Sequence, residues 1–363
     1  MPFSEDLIAP AVARYRRERD RYVKLADRVT EICREDVCEQ NAIRAQVTFR
    51  VKTEKSFEGK LRRFCSQRGR NYQNVDEIFQ SIGDLAGVRI SAYQEIDCER
   101  IAERLNGVLC DPDGGIAIEL DRKDKKEPQN QNYYRAIHTQ VSLLADQLIG
   151  TYDNVGDISC EVQICTMIAH VWNEIEHDIG YKPDPGGPST DENYHLNQLG
   201  LVVRQGDISI SALMAAHDRR IATPVQEAAG NAPARPFVDV HDFVSRMRDF
   251  SDKAMPDFAE NSGQLFDLLT HLGHTSPESI SGTLPDFDPD TERERLGVFN
   301  DNLVASGVEG LSLDPRTSDL MLIALIHRRD EEVREALKGR AGRGKGRPSR
   351  LHRIAVRYLD QAK

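Results

Sequence analysis

The sequence predicts an α/β fold followed by a separate α-helical domain. In the first 221 residues, segments with the two-residue alternation of strands are interleaved with segments of helical spacing. The segment ATPVQEAAGNAPARP, which begins at Ala222, has the small residues and prolines of a linker. Two helical patterns follow it, separated by loops rich in Pro and Gly, at residues 237–272 and 318–337. The predicted parts are therefore a first domain at 1–221, a linker at 222–236 and a mainly helical domain with a basic tail at 237–363.

The chain is acidic and long enough for two domains. It has 363 residues, and 48 Lys and Arg against 59 Asp and Glu give a net charge of −11. This balance disfavours nonspecific nucleic-acid binding over the whole surface, although local basic patches stay open. The N-terminus lacks the features of a signal peptide, and no apolar run approaches the ~20 residues of a membrane span. For that reason no membrane partner is expected. Seven scattered cysteines without a C-x-x-C pair favour a reduced, cytoplasmic chain.

The first strand is predicted just after a charged N-terminal segment. Residues 7–40 carry apolar side chains at helical spacing, which predicts one or two amphipathic helices. The next stretch, IRAQVTFRVK, alternates as a strand does and places Arg50 and Lys52 on one face. A helix that carries Ser56 and Lys60 one turn apart is expected next. Cations at this junction suit a polyphosphate, because a helix N-terminus favours an anion. An ordinary basic strand–helix junction fits the pattern equally well.

The middle of the first domain contains further strands and one notable carboxylate. Residues 85–92 predict a buried strand, and Asp84 stands at its entrance, where its oxygen atoms suit Mg²⁺ held against phosphates. An aspartate that caps a turn is the commoner arrangement. Residues 94–105 predict a helix and residues 114–120 a strand. The charged loop DRKDKKEPQNQN then leads to YYRAIHTQV, in which another strand begins at residues 137–141.

The stretch SCEVQICTMIAHVWNEIEHDIGYK, at residues 159–182, organises the domain. Its first half alternates, so Glu161 and Gln163 lie together on one face of a strand. Its second half has helical spacing, places His170 on a polar stripe, and is predicted to end at Gly180. A strand that ends in a polar pair and continues into such a helix commonly forms one wall of an active site. A lone acidic residue on an exposed strand is, however, more often simply solvated.

Four motifs, in this order along the chain, resemble the synthetase domain of RelA/SpoT-type alarmone synthetases over residues 7–221. They are R-x-K-x-x-x-S-x-x-x-K from Arg50, D-x-x-G-x-R-I from Asp84, the aromatic loop Y-x-x-I-H from Tyr134, and E-V-Q-I with the following A-H-V-W-x-E-I-E-H-D from Glu161. That family transfers pyrophosphate from ATP to the 3′-hydroxyl of GDP or GTP. The resemblance therefore implies a nucleotidyltransferase-like mixed β-sheet flanked by helices.

The resemblance also implies a role for each motif residue. The ATP-binding residues would be Arg50, Lys52, Ser56, Lys60 and Arg89. The acceptor-binding residues would be Tyr134, His138 and Gln163. The catalytic residues would be Asp84, Glu161 and His170, of which Asp84 and Glu161 would hold Mg²⁺. Arg50 and Arg89 would pack on adenine and Tyr134 on guanine, since a guanidinium and a phenol ring both stack on bases. Glu161 would also accept the proton of the acceptor hydroxyl.

The sequence departs from the family pattern at several positions. Phe49 stands where many members carry glycine, and Tyr133 also replaces a usual glycine. Cys165 replaces an arginine often placed near phosphate, so the site loses a cation. Either Lys60, Arg89 or His170 is expected to compensate, or the activity is expected to be low. The family's lysine ahead of the aromatic loop has no single counterpart among Lys123, Lys125 and Lys126.

Three functions stay open from the sequence. The first is alarmone synthesis from ATP and GDP or GTP. The second keeps the chemistry but uses an adenosine nucleotide or the 3′ end of tRNA, as in toxic relatives. The third is a degenerate synthetase that binds nucleotide and regulates a partner. We expect GDP or GTP as the acceptor, because the lysines of the charged loop suit a 5′-polyphosphate. A tRNA acceptor would need a longer basic track, and the obvious one lies at residues 338–353 of a chain whose net negative charge weakens attraction to RNA. A homo-oligomer, and a tRNA or protein partner through the C-terminal domain, also stay open.

Overall fold

The computed structural model describes residues 3–66, 71–115, 117–124, 133–181, 187–222, 235–251, 254–308, 310–337 and 349–361. The chain divides into two compact units, Met1–Val37 with Arg44–Ser211, and Cys38–Ile43 with Ala212–Lys363. Most of the predicted linker, most of the predicted basic tail, and Lys125 and Lys126 lie outside the described residues. The domain limits at residues 221 and 237 therefore stay predictions.

The first unit contains a mixed β-sheet flanked by helices, as the sequence predicts. Its strands are β1 (Ala45–Val51), β2 (Ala86–Ala92), β3 (Asp121–Asp124), β4 (Arg135–Val141) and β5 (Cys160–Thr166). They lie in the order β1-β2-β5-β4-β3, in which β2 and β5 are parallel and the other pairs are antiparallel. The helices that begin in this unit are α1 (Ile8–Ile32), α2 (Glu54–Ser66), α3 (Val75–Ser81), α4 (Glu95–Leu105), α5 (Met167–Glu176) and α6 (Thr190–Ala222).

The apolar positions of the strands and of α1 form the core of this unit. On the central strands Val88, Ile90, Val162 and Ile164 are almost fully buried. Buried residues recur along α1 at helical spacing, as Tyr15, Tyr22, Leu25, Val29 and Ile32. Because apolar side chains alternate with polar ones along each strand, the opposite face of the sheet is left for polar residues.

Two local predictions in this unit are wrong. The strand expected at residues 114–120 lies instead at β3, in the stretch assigned to a charged loop. β3 is an edge strand, where charged side chains are common because they discourage pairing with other chains. The helix expected to end at Gly180 is α5, which ends at Glu176 and continues as a π-helical segment, His177–Tyr181. Gly180 therefore lies inside this segment rather than ending the helix.

Helix α6 has a property that the sequence analysis missed. Over Thr190–Arg220 it is long and apolar enough to cross a membrane, judged by length and composition alone, and 17% of its most apolar window is buried. Its buried positions pack within the first unit: Asp207 forms an ion pair with Arg135 of β4, and Trp172 donates a hydrogen bond to the Leu196 carbonyl at 3.0 Å. One side of α6 is thus occupied by protein contacts.

The second unit is helical, as predicted, but its helices are shorter and more numerous. They are α7 (Val240–Ser251), α8 (Ser262–His271), α9 (Pro277–Thr283), α10 (Pro289–Ala305), α11 (Asp319–Arg328), α12 (Asp330–Leu337) and α13 (Arg350–Gln361). Helices α9 and α10 occupy a stretch that was assigned to loops rich in Pro and Gly. Each begins with a proline after a capping side chain, Ser276 and Asp288 respectively, so these prolines start helices rather than interrupt them.

The core of the second unit includes two segments that the sequence analysis had not placed there. Residues Leu320–Ile326 of α11 are fully buried, and α13 contributes Ile354 and Leu359 to the same cluster. Arg350, at the start of α13, forms a 3.2 Å ion pair with the buried carboxylate of Asp319. Arg350 belongs to the basic segment at residues 338–353, but it is part of the folded second unit rather than of a solvated tail.

Candidate functional site

The polar residues of the candidate site lie in register on one face of the sheet. One row crosses all five strands and reads Thr48, Arg89, Gln163, His138, Asp121. The next row on the same face reads Arg50, Gly87, Glu161, Gln140. Because side chains two residues apart on a strand project from the same face, the two rows place a group of cations beside a carboxylate.

Two adjoining clefts lie over these rows. The first cleft, of about 430 Å³, is lined by Asp84 and Glu161 together with Arg50, Arg89 and Gln163. The second cleft, of about 450 Å³, shares the last three residues and adds Tyr134, Cys165, Asn173, Glu174 and His177. The shared wall means that two ligands bound in the two clefts would be neighbours.

Asp84 is held between two lysines at the mouth of β2. Lys60 Nζ lies 2.7 Å from one carboxylate oxygen and Lys52 Nζ lies 3.1 Å from the other. Burial by itself would raise the pKa of Asp84, but the hydrogen bonds and charges of Lys60 and Lys52 outweigh it and hold the pKa below its ordinary value. The group is therefore an ionised carboxylate with two cations, and it carries a net positive charge.

The backbone around Lys52 is fixed from two sides. The Lys52 N–H donates to the Leu85 carbonyl at 3.0 Å, and the Tyr15 hydroxyl donates to the Lys52 carbonyl at 2.6 Å. Lys60 reaches Asp84 from the second turn of α2. Ser56 lies on the exposed surface of this helix, one turn before Lys60, and its N–H donates to Thr53 Oγ1 at 3.1 Å.

Glu161 is the centre of a hydrogen-bonded chain. The Gln163 amide donates to Glu161 Oε2 at 2.8 Å, and His138 Nδ1 lies 3.3 Å from Glu161 Oε1. On its other side His138 Nε2 lies 2.7 Å from the Tyr134 hydroxyl. Burial acts to raise the pKa of Glu161, but the hydrogen bonds from His138 and Gln163 outweigh it and lower the pKa. Burial raises the pKa of Tyr134 to about 12, so its hydroxyl keeps its proton.

Arg89 is oriented by three side chains. Its guanidinium forms a 2.7 Å ion pair with Glu174, lies 3.3 Å from His170 Nε2 and lies 3.4 Å from Gln163 Oε1. Burial, followed by the positive charge of Arg89, lowers the pKa of His170. His170 is therefore neutral at neutral pH. The expectation that it replaces the cation lost at position 165 does not fit this shift.

The departures from the family pattern have visible packing consequences. Cys165 packs in a cluster with Ala136, Ala169, Trp172 and Val203, and burial raises the pKa of its thiol to about 11. A reactive role for this thiol is thus disfavoured.

Tyr133 stacks edge-on against Trp172, with ring centroids 6.1 Å apart. Gly200 on α6 lies under its ring: a methyl group added there would come within 2.2 Å of Tyr133. Gly200 therefore makes room for the bulky residue.

The structure brings the predicted residues together. Arg50, Asp84, Arg89, Tyr134, Glu161 and Gln163 line the clefts. Lys52, Lys60, His138 and His170 contact residues that do. Ser56 stands apart on α2, and the individual roles stay predictions. The sequence analysis gave no individual role to Glu174, which contacts Arg89, or to Gly200, which leaves room for Tyr133, since each acts on a residue far from it in the sequence.

Asp84 and Glu161 fit a magnesium ion that also binds substrate phosphates. They line one cleft. The negative charge of Asp84 acts to raise the pKa of Glu161, although the hydrogen bonds from His138 and Gln163 keep that pKa lowered. Across the described residues no group of three or more His, Cys, Asp or Glu side chains is arranged to hold a metal. Magnesium commonly takes only one or two carboxylates and completes its shell with water and phosphate oxygens, so two carboxylates suffice.

Comparisons with known proteins give one family match, over part of the chain, and several similar solved structures. Residues 49–185 match the sequence model described as the region found in RelA / SpoT proteins. No curated protein matches the chain. Among solved structures, the chain is similar to the small alarmone synthetase 1 from Bacillus subtilis, with 19% identity, coverage of 57% of this chain and 98% of that chain, and a TM-score of 0.44.

Two further solved structures are similar to this chain. A GTP pyrophosphokinase family protein from Streptococcus pneumoniae has 20% identity, coverage of 57% and 96% of the two chains, and a TM-score of 0.43. The small alarmone synthetase 2 from Bacillus subtilis has 22% identity, coverage of 56% and 98%, and a TM-score of 0.42. The predicted site residues, from Arg50 to His170, all fall within residues 49–185, which match the RelA / SpoT region.

Proposed function

We propose that this protein is an ATP-dependent pyrophosphokinase that transfers pyrophosphate to the 3′-hydroxyl of GDP or GTP and so makes (p)ppGpp. One observation carries the proposal: an ionised, hydrogen-bonded Glu161 shares a cleft with Asp84, which is bound by two lysines. A carboxylate able to accept a hydroxyl proton thus stands beside cations suited to a polyphosphate. The match of residues 49–185 to the RelA/SpoT region supports the same chemistry.

On the ATP side, the cations at the β1–α2 junction would bind the phosphates. Lys52 and Lys60 already hold a carboxylate, and phosphate oxygens are the same kind of charged acceptor. Arg50 is exposed on β1 and lines both clefts, so its guanidinium is accessible to a base or a phosphate. Arg89 would support it from β2, where Glu174 fixes its orientation. Ser56 would join them from the surface of α2.

Between the substrates, Asp84 and Glu161 would hold Mg²⁺. The bound ion would neutralise phosphate charge as it builds up during transfer. Glu161 would also accept the proton of the acceptor 3′-hydroxyl, since its lowered pKa keeps it ionised and its hydrogen bonds fix its direction. Positioning and charge neutralisation would supply most of the rate.

The acceptor would occupy the second cleft. Tyr134 offers an aromatic face there, and Gln163 presents an amide on the wall that the two clefts share. Lys123 on β3 lies 3.4 Å from His138 and supplies a cation for the acceptor's 5′-phosphates. Because stacking tolerates any base, Tyr134 does not select guanine. The Lys123 cation favours a nucleoside with 5′-phosphates over the 3′ end of tRNA, and the choice of a guanine nucleotide is supported by the match to the RelA/SpoT region.

The experiment is turnover of labelled ATP by the purified full chain with Mg²⁺ and, separately, GDP, GTP, ADP or tRNA. We expect a guanosine product whose formation falls ~10²-fold or more in Glu161→Gln, without loss of the folded state. Glu99→Gln is the matched control, because Glu99 pairs with Arg122 at the surface, 2.8 Å away. If a product forms only with tRNA or ADP, the assignment of GDP or GTP as the acceptor is wrong. If the protein binds ATP but shows no turnover, it is a nucleotide-binding regulator rather than an enzyme.

A further inference from the structure

His138 lies between Tyr134, assigned to the acceptor, and the catalytic Glu161, and its side chain is largely buried. It lies on β4, directly opposite Gln163 of β5 and Asp121 of β3, and its side chain is 11% exposed. Its Nε2 atom is engaged by the Tyr134 hydroxyl at 2.7 Å. Only Nδ1 is left to act on the catalytic groups, so the neighbours of this atom decide what His138 does.

Nδ1 faces two partners that require opposite hydrogen-bonding roles. Glu161 Oε1, 3.3 Å away, can only accept, so it requires an N–H at Nδ1. Lys123 Nζ, 3.4 Å away, can only donate, so it requires a lone pair at Nδ1. One imidazole nitrogen cannot satisfy both partners at once. The Tyr134 hydroxyl can donate or accept, so Nε2 is satisfied in either tautomer.

Lys123 is the partner that a substrate can remove. Its side chain is 38% exposed on the edge strand β3, and it also forms a 3.4 Å ion pair with the exposed Asp121. Exposed ion pairs of this kind contribute little, ~0–1 kcal/mol. A polyphosphate offers a stronger charge-assisted partner to the same ammonium group. Glu161, in contrast, is fixed by Gln163 and stays in place.

We propose that His138 is a positioning residue that couples acceptor phosphates to Glu161. When a 5′-diphosphate draws Lys123 away, Nδ1 becomes free to carry the N–H that orients the Glu161 carboxylate toward the 3′-hydroxyl. The inference rests on the proposed function and deepens it: the 5′-phosphates of the acceptor raise kcat as well as lower KM. A guanosine without phosphates would leave Lys123 in competition with Glu161.

Two isosteric variants separate the two nitrogens. The amide nitrogen of Asn lies about where Nδ1 lies, whereas that of Gln lies about where Nε2 lies. His138→Asn should therefore keep the hydrogen bond to Glu161, and His138→Gln should keep only the bond to Tyr134. We expect kcat with GDP to fall ~10–100-fold in His138→Gln and to be largely restored in His138→Asn. Equal kcat values for the two variants would overturn the positioning role, since a residue that merely fills space does not discriminate between them.

Lys123→Met tests the coupling itself. The wild-type protein should have a higher kcat with GDP than with guanosine, and Lys123→Met should raise kcat with guanosine toward the GDP value while it raises KM for GDP. A ratio of the two kcat values that is the same in wild type and variant would contradict the coupling. Lys123 lies on an exposed edge strand, so this variant should fold.

A spectroscopic measurement keeps this test independent of turnover. In protein labelled with ¹⁵N-histidine, the His138 signals, identified by their loss in His138→Gln, report which ring nitrogen carries the proton. Addition of GDP to the wild-type protein should shift His138 toward the Nδ1–H tautomer, and Lys123→Met should show that tautomer without GDP. An unchanged tautomer would overturn the inference even if the enzyme is active. Absence of a guanosine product together with the tautomer shift would instead overturn the proposed function.

Discussion

Lys60 Nζ lies 2.7 Å from Asp84 Oδ1, so a proposed ATP-binding cation is paired with a proposed metal ligand. Lys52 holds the other oxygen of the same carboxylate. The groups proposed to bind ATP and Mg²⁺ are therefore occupied by one another before these ligands bind. The triphosphate has to replace Asp84 as the partner of the lysines, and this exchange frees the carboxylate for the metal. The arrangement favours entry of the two ligands together.

The first prediction is that Asp84 competes with ATP for the lysines. Lys52→Ala and Lys60→Ala should each weaken ATP binding by ~10-fold or more, because each removes a charge-assisted contact. Asp84→Asn should tighten metal-free ATP binding, while it lowers turnover by ~10²-fold or more. Calorimetry with and without Mg²⁺ measures the affinities.

Lys24→Ala is the control for a lost lysine, since Lys24 contacts Asn154 at 3.1 Å on the exposed part of α1. Unchanged ATP affinity in both lysine variants of the site would show that the phosphates bind elsewhere.

The second prediction concerns stability and pH. The pKa of folded Asp84 is below its ordinary value of 3.8, so its contribution to stability is present above that value and is lost as pH falls through the folded value. Wild type should therefore exceed Asp84→Asn in free energy of unfolding at pH 6, and the difference should shrink below about pH 4. Urea unfolding followed by the fluorescence of Trp172, the single tryptophan, reports on the first unit. A difference that grows as pH falls would have the wrong sign.

The elements of this site could be predicted largely from alternation and spacing. The positions of β1, β2, β4, β5 and α2 follow from local patterns, and so does the shared face of Glu161 and Gln163. Pairing order does not follow from them: the contact of His138 with Glu161 depends on β4 lying beside β5, and any other order would separate the two residues. The family resemblance supplied the roles, which alternation alone would not have indicated.

The parts that could not be predicted depend on tertiary context. β3 was missed because its charged residues resemble a loop, and only its position at the edge of the sheet makes them suitable for a strand. Helices α9 and α10 were missed because prolines were interpreted as breaks, although proline also starts helices. The space that Gly200 leaves for Tyr133 joins positions 67 residues apart, with no local signal at either one.

The third prediction concerns the space that Gly200 leaves for the ring of Tyr133. Gly200→Ala places a methyl group 2.2 Å from the Tyr133 ring, near the attachment of the ring to the backbone, where it cannot swing aside. We expect a loss of ~1–3 kcal/mol in the free energy of unfolding and a change in Trp172 fluorescence, because Tyr133 packs on that ring. Gly59→Ala, also within a helix, meets nothing within 4 Å and should stabilise by ~0.5–1 kcal/mol. Similar behaviour of the two variants would exclude the packing explanation.

The fourth prediction concerns Cys165. Its side chain lines the second cleft on one side and packs against Ala136, Ala169, Trp172 and Val203 on the other, so the larger and charged arginine of the family would disturb this apolar packing. Cys165→Arg should destabilise the first unit by ~3–5 kcal/mol, whereas Cys165→Ala should cost much less. Because burial raises its pKa to about 11, the thiol should also react slowly with alkylating reagents in the native state. A stable Cys165→Arg protein with improved turnover would instead show that the site can accommodate the missing cation.

The last prediction concerns the acceptor and the role of Tyr134 in binding it. Tyr134→Ala should lower GDP-dependent transfer strongly while it spares ATP binding, because stacking on a base is worth ~1–3 kcal/mol and Tyr134 lines the second cleft but not the cleft that contains Asp84. Tyr134→Phe should retain GDP affinity and lose only the hydroxyl contact with His138. Kinetics with GDP over a range of concentrations separates the two effects.

Truncation after Leu337 is not a suitable test for a tRNA acceptor, because it removes α13 and leaves the buried Asp319 without Arg350. Substitution of Lys338, Arg340, Arg343, Lys345 and Arg347 by glutamine removes the basic charge and keeps α13. If GDP is the acceptor, this variant should make guanosine product at the wild-type rate, since these residues supply no part of the proposed site. If the protein instead labels the 3′ end of tRNA, and the glutamine variant loses that labelling, then RNA recognition through this segment replaces the GDP assignment.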